Sequence, residues 1–226
     1  WISEAYLKKN DNQMIDEVAK LQNDPSYDVR VQVLLSMYQS KSDSAVAIVK
    51  KIVEDNSGNK MIMGVKDALD KNQMVKELSS RLVGLSEDDK STILDGAITF
   101  RSLCANCHGA DGKGLAIGSG TMAAPPLVGA GPLQFSEKYT AMRILLGGLT
   151  GPVEGKTYSS EMPSMAANGD GWIVEVLSYA RYEFGKKTPG KNSISPVVNR
   201  DEVKKIREEM KGRNKPWTLE ELKRIK

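Results

Sequence analysis

The 226-residue chain has two cysteines and one histidine, and all three fall within five consecutive positions, Cys104-Ala105-Asn106-Cys107-His108. Any fold this sequence adopts must present two thiols and an imidazole at one place. With no cysteine or histidine elsewhere, it can build neither a disulfide framework nor a second site of the same chemistry.

Two thiols three positions apart can each add to one of the two vinyl groups of a haem, giving two thioether bonds. A His directly after the second Cys then projects its imidazole onto the iron from the same side. C-x-x-C-H therefore reads as covalent attachment of a c-type haem by Cys104 and Cys107, with His108 as an axial ligand. Three other chemistries use parts of this pattern. A structural zinc ion takes about four N or S ligands; here only these three residues are of that kind, and adjacent Cys107 and His108 cannot readily both turn to one small ion. A thioredoxin-like redox pair follows a strand in a βαβ unit, whereas this motif ends a predicted helix and precedes a Gly-rich loop. A disulfide between Cys104 and Cys107 leaves His108 unexplained.

An iron that passes electrons without binding substrate needs a sixth ligand. With no second His, Met is the natural candidate, and Met opposite His raises the reduction potential. Of the 10 methionines, most belong to helical apolar faces. Met162, in Ser160-Glu161-Met162-Pro163-Ser164-Met165, falls in an irregular loop before the last strong helix, and the following Pro restrains its backbone. Met165 is equally loop-bound, and the residues alone leave both open.

The rest of the chain reads as helices. From Asn12 to about Arg81 apolar residues recur at helical spacing, as in Met14, Ile15, Val18 and Ala19, then Ala45, Ile48, Val49, Ile52 and Val53. Breaks are expected at Asp24-Pro25, Lys41-Ser42-Asp43, Asn56-Ser57-Gly58 and Asp70-Lys71-Asn72. The stretch Asp24-Pro25 to Asp28-Val29-Arg30, leading into an apolar helix, resembles a HEAT-like repeat and suits either a docking platform or a packed spacer.

A boundary is expected near Gly84 to Lys90, followed by a helix with Ile93, Ala97, Phe100 and Leu103 on one side. Gly, Pro and Ala then dominate from Gly109 to Gly151, as in irregular chain wrapped round something. A helix from Ser136 to about Leu146 interrupts it, and a β-hairpin near 152–158 is expected. A last strong helix is predicted from about Gly171 to Phe184, with Asp170 as N-cap and Gly185 as its stop. Residues 200–226 carry ten Lys or Arg against six Asp or Glu, net +4. Two capping boxes, Asn199 with Glu202 and Thr218 with Glu221, open short helices there, and Trp217 is expected to anchor this tail.

Hydrophobic residues at 40% and charged residues at 27% exclude wholesale disorder. A net charge of +3 is too small to suggest nucleic-acid binding. No apolar run approaches the about 20 residues of a spanning helix. The opening Trp1-Ile2-Ser3-Glu4 has neither an initiator Met nor a signal segment, which suggests a longer natural protein.

From about Thr92 to Gly185 the sequence resembles a class I cytochrome c. Gly96 and Phe100 before Cys104 match the small-and-aromatic pair of that family's first helix, and Val176 and Tyr179 match the apolar-and-aromatic pair of its last. The resemblance implies that these helices cross beside the haem. Pro125-Pro126-Leu127 is similar to the loop whose Pro carbonyl accepts the ligand histidine's ring N–H; Pro125 carries that role, with Pro126 as alternative, and Leu127 packs on the haem. Met162-Pro163 matches the family's ligand loop, which implies Met162 as sixth ligand with Met165 as alternative.

The order of helical repeats, cytochrome and basic tail also resembles the C-terminal part of certain multidomain bacterial quinoprotein-type sugar or alcohol dehydrogenases. These resemblances imply an all-α protein, with a HEAT-like domain at 1–86, a cytochrome domain at 87–190 and a helical tail at 191–226 packed on the body. They imply electron transfer through one haem c, not catalysis, in the periplasm, with a redox partner or fused dehydrogenase domain as donor. Two alternatives stand beside this: a peroxidase-like haem enzyme with an open sixth site, for which the sequence supplies no distal His, and an interaction module in which the repeats dock a partner.

Overall fold

A computed structural model describes residues 2–118, 120–134, 137–185 and 195–225, without the side chains of residues 2 and 3. It is all-α: the described residues carry helices and isolated β-bridges, with no β-ladder. No helix among them is long and apolar enough to cross a membrane. The chain divides into two compact units, Trp1–Glu77 and Leu78–Lys226.

The first unit holds α1 (Ile2–Leu7), α2 (Asn12–Ala19), α3 (Tyr27–Met37), α4 (Asp43–Asp55) and most of α5 (Lys60–Arg81). Side-chain caps start the amphipathic helices: Asp11 accepts the Met14 N–H before α2, and Ser42 accepts the Ala45 N–H before α4. Their apolar faces meet in one core of Leu7, Ile15, Val33, Leu34, Met37, Ala45, Val49, Ile52 and Ile62. Arg30 ties the Asp24-Pro25 turn to the end of α4, donating to the Asp24 carbonyl and, at 2.8 Å, to Asn56 Oδ1.

The break expected at Asp70-Lys71-Asn72 does not occur, since α5 runs straight through it. Asp70 is a lateral anchor instead of a cap, pairing with Lys66 one turn earlier and accepting the Tyr38 hydroxyl. The division between units likewise falls at Glu77/Leu78, inside α5, and not at 86/87. From Leu78 the helix joins the second core: Leu78 and Leu82 are buried, Arg81 pairs with Glu183 at 2.9 Å, and the Tyr182 hydroxyl donates to the Arg81 carbonyl. The acidic stretch at 86–89 is the capped start of α6 (Glu87–Thr99), where Ser86 accepts the Asp89 N–H and the carboxylates face the helix's positive end.

In the second unit α6 lies across α9 (Asp170–Phe184) so closely that a Cβ at Gly96 would sit 2.0 Å from the Glu175 carbonyl oxygen. Phe100, Tyr179 and Phe184 cluster behind this crossing, their ring centroids 5.1–5.8 Å apart. The N-cap of α9 is Gly169, one residue before the expected Asp170, whose carboxylate is engaged by the tail. Gly185 ends the helix through close approach, because a Cβ there would lie 2.4 Å from both the Leu133 and Arg181 carbonyl oxygens.

Helix α8 spans Lys138–Gly147; Ser136, its expected first residue, lies outside the described residues. The hairpin expected near 152–158 reduces to one bridge, in which Val153 and Lys156 exchange bonds of 2.9 and 3.0 Å. Glu154 and Gly155 between them both have positive φ, as a two-residue I′ turn requires.

The tail is part of this unit. Its helices α10 (Arg200–Glu209) and α11 (Leu219–Lys223) each open on a complete capping box, at Asn199/Glu202 and Thr218/Glu221. Trp217 is buried with Ile144, Leu149 and Leu222, and the Val198 N–H is accepted by Ser178 of α9.

Candidate functional site

The five-residue motif sits where helical geometry changes. After α6 the chain widens into a π-helical turn over Phe100–Cys104, then tightens into α7 (Ala105–His108) and stops at Gly109, whose φ is +73°. Such one-turn widenings recur at functional sites. Here it re-aims Cys104 and all that follows while Phe100 stays in the core.

His108 is half-buried, and its Nδ1 lies 3.0 Å from the Pro125 carbonyl oxygen. A carbonyl only accepts, so Nδ1 is the protonated nitrogen. Burial pushes the imidazole below its ordinary pKa, with the Pro125 contact a smaller opposing influence. With the proton on Nδ1, Nε2 is the nitrogen whose lone pair can meet a ligand. Both cysteines are free thiols, half-buried. Burial pushes the Cys104 thiol up to about 11, the reverse of the lowered pKa that activates a redox pair.

Backbone hydrogen bonds tie distant pieces of sequence to the motif. Gly114 N–H donates to the His108 carbonyl at 2.7 Å and Leu115 N–H to the Cys107 carbonyl at 3.1 Å. Ala123 N–H donates to the Leu115 carbonyl at 2.8 Å, and Ser160 N–H to the Ala123 carbonyl at 3.2 Å, two residues before Met162. On the other side, Leu127 and Val128 both donate to the Gly112 carbonyl, which fixes the segment carrying Pro125. Gly112 cannot be replaced there: its φ is +68°, and a Cβ would meet the Phe184 ring at 2.5 Å.

The structure thus brings Cys104, Cys107, His108, Pro125 and Leu127 into one knot. Of the two prolines expected there, Pro125 is the one whose carbonyl meets the His108 ring. Met162 and Met165 follow in a loop held by α8. Met162 exchanges backbone bonds of 3.0 Å with Leu149, and its half-buried side chain packs on the Ile144–Leu149–Trp217–Leu222 cluster. Met165 N–H donates to the Leu145 carbonyl at 2.9 Å, and its sulfur lies 4.0 Å from Asn168 Nδ2.

Apolar residues left open mark the same region. Leu103 is 46% exposed, Leu115 44%, Ile117 51% and Val128 54%, all in segments next to or hydrogen-bonded to the motif. Among the described residues no three His, Cys, Asp or Glu side chains gather as a set able to hold a metal ion. Residue reading missed the roles of Gly112, Leu115 and Ala123. The Gly-rich composition hinted at the first, but backbone donors leave no mark on side-chain pattern.

No family model matches the chain, and no curated protein matches it.

Proposed function

We propose that this chain is an electron-transfer protein carrying one covalently attached c-type haem, with a cytochrome c fold around the motif. The observation that carries this reading is His108: its Nδ1 proton is committed to the Pro125 carbonyl, so Nε2 stays free beside two unpaired thiols at the attachment spacing.

The surroundings support a fit to such a group. Leu103, Leu115, Ile117 and Val128 leave apolar surface open next to the motif, suited to a flat apolar partner. When bound, the haem supplies a one-electron iron couple between ferric and ferrous states. The chain's own residues do the rest. Cys104 and Cys107 form the two thioethers, and His108 donates Nε2 while Pro125 fixes its tautomer. Leu127 would pack against the bound group. Met162 would offer its sulfur to the iron, with Met165 as the alternative. The Gly96 crossing of α6 and α9 and the Phe100–Tyr179–Phe184 cluster behind it supply the rigidity that keeps reorganisation small.

On this reading the first unit is a HEAT-like repeat, supported by the Arg30 tie between the Asp24-Pro25 turn and α4. The electron donor is a dehydrogenase partner or fused domain, and the location is the periplasm, where thioether attachment of this kind is made.

Expression with haem-maturation machinery tests the proposal. The expected product is red, gains the mass of one haem through two thioethers, and in the ferric state shows the weak long-wavelength band of a sulfur–iron bond. A colourless product of unmodified mass would overturn the reading. A haem that binds cyanide rapidly and lacks that band would favour the enzyme alternative.

A further inference from the structure

The C-terminal tail grips the methionine loop at two separate places. At the first, Arg207 of α10 spreads its guanidinium over residues 166–170: Nε donates to Asp170 Oδ1 at 2.6 Å, Nη1 to the Ala166 carbonyl at 2.7 Å, and Nη2 to the Asn168 carbonyl. One planar fork thus satisfies a carboxylate and two backbone acceptors of a stretch that would otherwise rely on water. The ion pair is only about a quarter exposed on either side, so its bonds are charge-assisted and partly shielded.

At the second place the tail adds a layer to the loop. Trp217 N–H donates to the Gly148 carbonyl at 3.0 Å and Thr150 N–H to the Trp217 carbonyl at 2.8 Å, while Leu149 exchanges both its bonds with Met162. Leu149 therefore lies between Trp217 and Met162 as the middle of three short extended segments. The indole lies so close to the end of α8 that a Cβ at Gly147 would come within 2.7 Å of it. The Arg213 guanidinium covers the ring, 3.4 Å from its centroid. Between the two grips, the Ser164 hydroxyl donates to the Leu146 carbonyl and the Met165 N–H to that of Leu145, satisfying carbonyls at the end of α8.

We propose that Arg207 and Trp217 are positioning residues: the tail clamps residues 162–170 so that the methionine loop stays closed and its sulfur resists replacement by outside ligands. This rests on the haem reading above for the sulfur's role. The clamp itself is a property of the chain, and it holds the loop whether Met162 or Met165 is the ligand. Only arginine suits the first grip, because its fixed fork reaches three acceptors at once whereas a lysine ammonium is a single point.

The test uses the full haem-loaded chain with Arg207→Gln, Arg207→Lys and, as control on the same helix, Lys204→Gln, which loses an exposed ion pair with Asp201. Two quantities are read: amide hydrogen exchange at residues 162–170, and the rate at which added imidazole replaces the sulfur on ferric iron. Loss of charge-assisted bonds of this kind raises loop opening by about tenfold to a hundredfold. Arg207→Gln should speed both processes by that factor, Arg207→Lys should restore them only in part, and Lys204→Gln should match the parent. If Arg207→Gln lowers the melting temperature but leaves both rates unchanged, the tail is merely structural and the proposal is overturned. Should that variant not fold, Asp170→Asn weakens one of the three contacts, and unchanged exchange there is equally fatal. A preparation without covalent haem would sink the functional reading alone, since exchange in the haem-free chain still reports the clamp.

Discussion

Replacing Gly96 with alanine is the sharpest test of the second unit. The added carbon would sit 2.0 Å from the Glu175 carbonyl oxygen, 2.5 Å from the carbonyl carbon and 2.9 Å from Tyr179 Cβ. Two of these are backbone atoms of α9, which no rotamer change can move. Ordinary contact begins at 3.4 Å, so the helix axes must part by about 1.4 Å. Overpacking of this kind costs about 1–3 kcal/mol, and fixed backbone neighbours place it at the upper end. Alanine's helix propensity returns about 1 kcal/mol, which leaves a net loss of about 2 kcal/mol. Gly64 in α5 is the matched control: a Cβ there meets nothing within 4 Å, so Gly64→Ala should stabilise by about 0.8–1 kcal/mol. Urea unfolding, with the second unit followed through Trp172 and Trp217, should shift the midpoint down for Gly96→Ala at constant slope. A Gly96→Ala protein as stable as the parent would refute the backbone-to-backbone crossing.

Further outcomes follow from the site and the tail. Met162→Ala should lower the reduction potential and remove the sulfur–iron band in the ferric spectrum while Met165→Ala does neither; the reverse result would assign the other sulfur. Cys104→Ala should leave haem attached through Cys107 alone, one thioether short by mass, or lost on denaturation; unchanged attachment would remove Cys104 from the site. Burial, the largest single influence on Glu202, pushes its carboxyl up, but Lys138, the Asn199 N–H and the Tyr139 hydroxyl together hold it below its ordinary value. A carboxyl depressed on folding stabilises above its unfolded pKa of 4.5 and loses that contribution as pH falls through the folded value. Acid titration of Trp217 fluorescence should therefore show the tail loosening below about pH 4.5, and Glu202→Gln should flatten that step; an unaltered profile would show that this carboxylate does not hold α10.

Much of the molecule was legible in the chain. The apolar spacing of α2, α4 and α9 needs only one buried face per helix, and the capping boxes at Asn199 and Thr218 are satisfied by neighbours three residues away. The spacing of the two thiols and the adjacent imidazole at Cys104 to His108 are likewise set by the chain alone. Where the reading slipped, a partner distant in sequence had decided. Asp70 has the composition of a helix break, yet Lys66 and Tyr38 use it as an anchor and α5 continues. The acidic run at 86–89 has the composition of a linker, yet the units divide earlier, inside a helix.

The sequence by itself determined which side chains are available for chemistry and which stretches are helical, since both depend on residues within a turn or two of each other. The resemblance offered Pro125 or Pro126 as acceptor for the His108 ring; the tertiary structure places the Pro125 carbonyl there, 17 positions on. It also decided where the tail, expected to pack on the body with Trp217 as its anchor, makes its bonds: Arg207 to Ala166, Asn168 and Asp170, and the Trp217 backbone to Gly148 and Thr150. Backbone carbonyls accept most of those contacts, and every residue type carries the same carbonyl, so side-chain pattern cannot announce which ones will be chosen.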